Sequence, residues 1–357
     1  MSDCELSICV PTYSRAGMLK ELIASFGVLS RKSVELLILD DASKDDTKKV
    51  CELAAAKDSR IRYVRNPENL GFYRNLRECI VKAEGDIILL LGDDDILLSD
   101  HTDEIVIRAM DRYSDADYAY PNSIQVTDNL GFSYGYRYFA RDTTFAAGSD
   151  SYRNTWLYSI FISGICLRRS AHPEQFYPPR PMLFPQVEMV GRMLAKRGSV
   201  GLSSFLIGAR AHEDQLGFNA NKGRRILGPE RHGNLEILEM ARRLSPQIPG
   251  FPSEQEAAHM IVRRGYTNLP NEKIYGDTSI VIHNYRALAK LVPVYQEPQF
   301  WASLLLTLLL PRAMLRRLRD AGKVFMRTGQ EQLMELYDVC ARQRNAVYSD
   351  LWPKSPD

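Results

Sequence analysis

Leu6–Val10 is a short, mostly apolar run closed by Pro11, and it reads as a buried strand. Just after it, Leu19, Leu22, Ile23 and Phe26 recur at i, i+3, i+4 and i+7, the spacing of one helix face. The alternation then repeats. Val34–Leu39 is apolar and runs into Asp40 and Asp41, and Val50, Leu53 and Ala54 mark a helix that Ser43 or Asp45 can cap. Ile61–Val64 is a short strand, Leu76, Cys79, Ile80 and Ala83 form a third helical stripe, and Ile87–Leu91 is again continuously apolar. Ser99 or Asp100 opens a helix that runs through Met110, and Tyr118–Tyr120 reads as one more strand. Strands apolar on both faces that alternate with helices predict an α/β fold: a mostly parallel sheet with helices on both sides. Ligands of such sheets gather at the carboxyl ends of the strands. The polar residues cluster there, in Pro11–Arg15, Asp40–Ser43 and Gly92–Asp95.

From about residue 126 to 215 the pattern is irregular and rich in Tyr, Phe, Arg and Gly, with a helix expected at Gln186–Ala195. Beyond 216 the chain reads as helical, broken at Pro229, Pro246, Pro249, Pro252 and Pro270. The expected division is therefore 1–215, itself split into 1–125 and 126–215, followed by a helical C-terminal extension over 216–357. No internal repeat or low-complexity tract interrupts it.

Composition narrows the classes. At 45% hydrophobic and 25% charged, the 357 residues are those of a folded globular protein. A formal net charge of +2 gives no overall pull toward nucleic acid, so a basic function must be local. The six cysteines are scattered without a CxxC pair or zinc-finger spacing, which reads as reduced thiols in a cytoplasmic protein. MSDCELSICVPTYSR lacks the basic and apolar regions of a signal peptide. No apolar run reaches the roughly 18 residues that a spanning helix needs.

Against that background LLLGDDDILL is anomalous. Asp93, Asp94 and Asp95 stand in a row between two greasy runs. Like charges beside buried neighbours are costly unless something positive pairs with them. A divalent cation bridging a diphosphate fits, and oxygen ligands suit Mg²⁺ or Mn²⁺. The plainer alternative is a solvated cap on the following helix. Asp40 and Asp41 either bind a nucleobase or ribose, or make a turn and cap. In Pro11-Thr12-Tyr13 the tyrosine ring offers a base-stacking surface, or the segment is an ordinary turn. Asn69-Leu70-Gly71 either sets backbone beside a ligand, with Arg74 toward phosphate, or is simply a loop.

As an ordered set, VPTYSR (10–15), LDDASKDDT (39–47), NLGFYRN (69–75) and GDDD (92–95) resemble glycosyltransferase family 2 of the GT-A fold. The resemblance covers roughly the first 110 residues. It implies a metal-dependent transfer of sugar from a nucleotide diphosphate to a glycan or lipid-linked acceptor, generally with inversion, in surface polysaccharide assembly. It implies Pro11, Tyr13 and Asp41 near the nucleobase, within a nucleotide-sugar site that also takes in Thr12, Arg15, Asp40, Asn69, Gly71 and Arg74. The family commonly reads Asp-x-Asp-Asp at the acidic site. Here Gly92 replaces the first Asp, so the ribose contact falls to Asp93 or Asp94, and the metal to Asp94 or Asp95. GDDD is similar to a subgroup that includes deoxysugar transferases of O-antigen assembly.

An inverting transfer also needs a general base. Family members often supply it from an acidic pair at a helix start. In LFPQVEMVGRML (183–194) only Glu188 is acidic, and it could instead pair with Arg192 on a surface helix; Asp150 is a more distant candidate. His212 falls where many members place a metal- or diphosphate-binding histidine, though a loop histidine is the plainer reading. Residues 301–327 join about ten apolar residues to Arg312, Arg316, Arg317, Arg319, Lys323 and Arg327 against the lone Asp320. They read as a peripheral contact with the inner face of a cell membrane, or as a core helix joined to a basic one at a dimer contact. An oligomer is compatible with the sequence. Two other readings compete: a non-catalytic scaffold that keeps the fold, and a nucleotidyltransferase, disfavoured by one Gly and one Arg after the first strand. The missing GxGxxG after the first strand argues against a dinucleotide-binding dehydrogenase.

Overall fold

The computed structural model describes residues 4–210, 233–265, 273–274, 278–293 and 295–352. The first half follows the alternation of the sequence: β1 (Leu6–Thr12), α1 (Ala16–Gly27), β2 (Val34–Asp40), α2 (Thr47–Lys57), β3 (Ile61–Arg65), α3 (Phe72–Lys82), β4 (Ile87–Leu90), β5 (Ile96–Leu97) and α4 (Thr102–Arg112). The sheet continues with β6 (Ala116–Val126), β7 (Phe132–Tyr136), β8 (Thr143–Phe145), β9 (Ile165–Arg168) and β10 (Gly198–Arg210). The short helix α5 (Ser149–Asn154) and α6 (Pro185–Leu194) lie among them. Five longer helices and one more follow: α7 (Gly233–Leu244), α8 (Glu254–Gly265), α9 (Thr278–Leu291), α10 (Pro298–Leu309), α11 (Arg312–Arg327) and α12 (Glu331–Leu351).

The main path through the sheet is β3-β2-β1-β4-β9-β6-β10-β5, with β7 on β6 and β8 on β10. Strands β3, β2, β1 and β4 are mutually parallel; β9 is antiparallel to β4 and β6, and β10 runs parallel to β6. Strand alternation divides the core. From β1 and β2, Leu6, Ile8, Val10, Leu36 and Ile38 face α1, α2 and α4, whereas Cys9, Leu37 and Leu39 face α3 and α6. That is why these strands carry apolar residues on both faces, Ser7 and Glu35 being the exceptions within them: each face is covered.

Two expectations need correction. Pro11 does not stop β1, which runs on to Thr12. The Cys9 carbonyl accepts from Leu91 on the β4 side, so two residues on, Pro11 faces the same side. The β1–β4 ladder has ended there, at Cys9 opposite Leu90, so the N–H that proline lacks had no strand partner to lose. Second, residues 126–215 are not merely irregular: β6 and β10 are 11 and 13 residues long and form the widest pairing in the sheet, broken by register shifts. Those shifts, with Pro121 and paired serines in the strands, hide the period of two.

The later helices share the core of the second half. Ile237, Leu238, Ala241, Val281 and Leu288 pack in one cluster with Trp156, Val187 and Met193. Helix α12 instead returns to the first half. Val347 lies against Gly27, where a Cβ would come within 2.6 Å of it. Lys57 donates to the carbonyls of Asp350 and Leu351, closing the last turn of α12.

Candidate functional site

The carboxyl ends of β1, β2 and β4 meet where the strand order reverses, β2 lying on one side of β1 and β4 on the other. Three loops converge there. The first two interlock. Ser14 N–H donates to Ser43 Oγ (2.8 Å), Lys44 N–H to Ser14 Oγ (3.3 Å), and Ala16 N–H to an Asp45 carboxylate oxygen (3.0 Å). Ser14 and Ala42 take left-handed φ values of 54° and 59°, a strain that this mutual bonding holds in place. Tyr13 stays 41% exposed at the tip of the first loop.

Asp40 and Asp41 are buried and engaged within the protein. Asp40 accepts from the Ser43 N–H (2.8 Å), the Tyr63 hydroxyl (2.6 Å) and Arg65 (2.6 Å). Asp41 accepts from the Leu70 and Gly71 N–H groups (2.8 Å each) and from the Asn66 amide (2.9 Å). The Asn69-Leu70-Gly71 turn is thus hung from Asp41, and Gly71 has the positive φ (77°) that favours glycine. Asn69 accepts from the Gly71 N–H (3.1 Å), and Arg74 is exposed one turn into α3.

The acidic run is a tight turn between two buried strands, which explains its greasy flanks. Leu91 continues β4, the Gly92 N–H donates to Ser163 Oγ (2.8 Å), and the Asp95 N–H returns to the Gly92 carbonyl (3.2 Å) before β5 pairs with β10. Asp93 accepts from Thr12 Oγ1 (2.8 Å), which ties the turn to the end of β1. Asp95 is buried. It accepts from Ser163 Oγ (2.5 Å) and from the Arg210 backbone N–H (2.7 Å). The Arg210 side chain donates to the Asp94 carbonyl (2.8 Å) and the Asp128 carbonyl (3.1 Å), and pairs with Glu21. Gly92 is required by close approach. A Cβ there would meet Asp94 Oδ1 at 3.0 Å, and Asp95 Oδ2 and Ser163 Oγ at 3.2 Å.

Burial pushes the Asp93 carboxyl up to about 6, helped by the Asp94 charge and offset in part by Arg15 and the Thr12 hydroxyl. Burial, again with Asp94, raises Asp95 well above the ordinary carboxylate range, against the pull of Ser163 and Arg210. The turn therefore holds more negative charge than the surrounding protein compensates. Asp94 Oδ1 and Asp95 Oδ2 close over one glycine as hard oxygen donors, which fits a Mg²⁺ or Mn²⁺ ion. Among the described residues there is no group of three His, Cys, Asp or Glu set to hold a metal. His212 lies outside the described residues.

Glu188, the candidate base, does not lie on a surface helix as its plainer alternative had it. It is wholly buried on α6. Its Oε1 accepts from Arg192 (2.9 and 2.7 Å) and from Arg243 of α7 (3.0 Å), and its Oε2 is taken by Arg243. The Arg192 pairing is the one that the i+4 spacing suggests; the Arg243 pairing is tertiary. Asp150 lies at the start of α5, beside β8 and the first residues of β10, at the amino end of the strands and away from the acidic turn. Ser163 and Arg210 had no sequence signal: one precedes β9 in a loop, the other ends an irregular strand.

A largely parallel sheet with an acidic turn at its switch point is the arrangement of a GT-A fold. The profile of glycosyl transferase family 2 matches residues 7–172. Over that segment, just under half of its length, the chain is similar to glycosyl transferase family 2. It is 33% identical over 111 residues to the Campylobacter jejuni GalNAc(5)-diNAcBac-PP-undecaprenol beta-1,3-glucosyltransferase, which is 31% of this chain and 36% of that protein. It is 35% identical over 98 residues to the Salmonella typhimurium abequosyltransferase RfbV, 27% of this chain and 29% of that one. The chain thus spans about a third of the curated relatives it matches. In fold it is similar to S. aureus TarS 1–349 solved with UDP-GlcNAc. The TM-score is 0.55 at 14% identity, over 97% of this chain and 90% of that one. These likenesses agree with the family and fold expected from the four motifs, and with the narrower likeness to deoxysugar transferases.

Proposed function

We propose that the chain transfers a sugar from a nucleotide-diphosphate donor to a hydroxyl of a glycan or lipid-linked acceptor, with inversion, in surface-polysaccharide assembly. One observation carries this reading: where β1 and β4 end, Asp94 Oδ1 and Asp95 Oδ2 crowd one glycine, and the half-buried Asp93 and the buried Asp95 are both raised by burial and the Asp94 charge. The nucleobase lies on the Tyr13 ring, within the loops hung from Asp40 and Asp41. Pro11, Thr12, Arg15, Asn69, Gly71 and Arg74 form the rest of that cleft, and Asp93 takes the ribose hydroxyls, with Asp94 as the alternative. Asp94 and Asp95 hold Mg²⁺ or Mn²⁺, with His212 as a further ligand. When bound, the cation offsets the charge of the diphosphate leaving group. The chain's own part is to orient the donor: loops with strained, cross-bonded backbone fix the nucleotide before reaction. Glu188 is the proposed base only if it leaves Arg192 and Arg243, because all its hydrogen bonds go to their guanidinium groups. Lipid-linked acceptors are supported by the undecaprenol-linked substrate in the name of the C. jejuni relative. They set the reaction in the cytoplasm, at the inner face of the cell membrane.

A thermal-shift panel of UDP-, dTDP-, GDP- and CDP-sugars, with and without Mn²⁺, tests the reading. One nucleotide should stabilise the chain, and only with the metal. No response to any of them favours a non-catalytic scaffold with the same fold.

A further inference from the structure

Helix α10 is predominantly apolar; Pro298–Leu309 contains no charged residue. Such a helix is ordinarily buried on all sides. Here only one face is. Phe300, Leu304 and Thr307 point into the core, while Leu305, Leu306 and Leu309 on the opposite face are 58%, 56% and 71% exposed. Exposed apolar residues recur past Pro311. In α11 Leu315 is buried, but Met314 and Leu318, one turn apart, face solvent. Of the thirteen large apolar side chains exposed among the described residues, these five fall within fourteen consecutive positions. Single exposed leucines need no explanation; a contiguous set does.

The elbow between the two helices is a built feature. Leu310 is extended, Pro311 prevents α10 from continuing, and buried Lys273 donates to the carbonyls of Leu308 and Leu310 (2.9 Å each). The flank is basic. Arg312, Arg316 and Arg317 are exposed, and 301–327 carries six basic residues against one acid, net +5, in a chain whose total is only +2.

We propose that the outer faces of α10 and α11 form an interfacial anchor for an anionic phospholipid bilayer. Leu305, Leu306, Leu309, Met314 and Leu318 enter the headgroup boundary, and Arg316 and Arg317 meet the lipid phosphates. A dozen helical residues span about 18 Å, too short to cross a bilayer core of about 30 Å, so the helix lies in the interface plane. Among the described residues no helix is long and apolar enough to cross a membrane. Charge selects this occupant over a second copy of the chain. Self-association through this face would set arginines against arginines, whereas anionic headgroups complement them. The anchor goes beyond the sugar-transfer reading and uses no residue of the acidic turn.

The test is co-flotation of the full chain with vesicles of phosphatidylcholine alone or with 40% phosphatidylglycerol as an illustrative content, roughly the anionic-rich range. The chain should float with the anionic vesicles. The triple change Leu305→Ser, Leu306→Ser, Leu309→Ser should cut binding at least about tenfold. Arg316→Gln with Arg317→Gln should cut it roughly fivefold per arginine and abolish the lipid preference. Circular dichroism and Tm of the variants separate lost binding from lost fold, since all five positions are exposed. Asp94→Ala should bind vesicles like the parent, which keeps this result independent of catalysis. Equal binding to neutral and anionic vesicles, or none to either, overturns the proposal. So does a dimer in light scattering that the leucine changes dissolve while the vesicle results stay unchanged.

Discussion

Asp95 and Glu188 are both carboxylates shut away from water, but their surroundings differ in kind. Asp95 receives hydrogen bonds from a neutral hydroxyl and a backbone N–H, and has Asp94 beside it. Glu188 is gripped by two guanidinium groups. A buried charge with its counter-charges already in the chain is a strut between α6 and α7. One whose hydrogen-bond partners are dipoles is what the proposed cation site calls for. The difference separates donor chemistry from architecture, although both residues read alike in the sequence.

The largest effect should come from the turn. Asp94→Ala and Asp95→Asn should each lower sugar transfer by about 10²- to 10³-fold while leaving Tm nearly unchanged, because each removes a like charge. Steady-state kinetics beside calorimetry checks both halves. Glu188→Gln should behave in the opposite way. It strands two half-buried guanidiniums and should cost about 3 kcal/mol of stability; turnover of the folded enzyme kept within a few-fold would make Glu188 a strut and not the base. A thousandfold loss of turnover with unchanged Tm would instead identify Glu188 as the base. Ser163→Ala should cost about 1–2 kcal/mol, because the Gly92 N–H and an Asp95 oxygen lose their shared partner. It should also weaken metal-dependent donor binding, read by titration calorimetry.

The smallest effect is in pH. Asp93 is raised to about 6, so the ligand-free fold favours its protonated carboxyl. Raising the pH through 6 therefore removes stability from the free protein and creates the anion that the donor complex uses. Donor binding with Mn²⁺ should weaken by about tenfold between pH 7 and pH 5, and the free protein should become slightly more stable over the same interval. Asp93→Asn should flatten both trends.

The parallel half was legible because its information is local. Continuous apolar runs, helical stripes and acidic strand ends lie within single segments, so β1 to α4 could be read almost residue by residue. The Gly92–Asp95 turn was legible for the same reason: three carboxylates between buried strands violate a local rule. What escaped depends on residues far apart. Nothing near Glu188 announces Arg243, 55 positions later in the chain, nor does anything near Asp95 announce Ser163 or the Arg210 backbone. The length of β6 beyond Tyr118–Tyr120, and all of β10, escaped because bulged pairing breaks their period of two. The exposure of α10 was half legible. Its apolar run stood out, but only the fold shows which leucines the core leaves uncovered.

Electron paramagnetic resonance of Mn²⁺ titrated into the protein with its stabilising nucleotide bears most directly on the acidic turn. The six-line signal of aqueous manganese should disappear as the wild-type chain takes up about one ion. It should persist in Asp94→Asn/Asp95→Asn chain that remains folded. If that doubly substituted chain removed the free-ion signal as well as the wild type does, the cation would be held elsewhere, and the account of Gly92–Asp95 would be wrong.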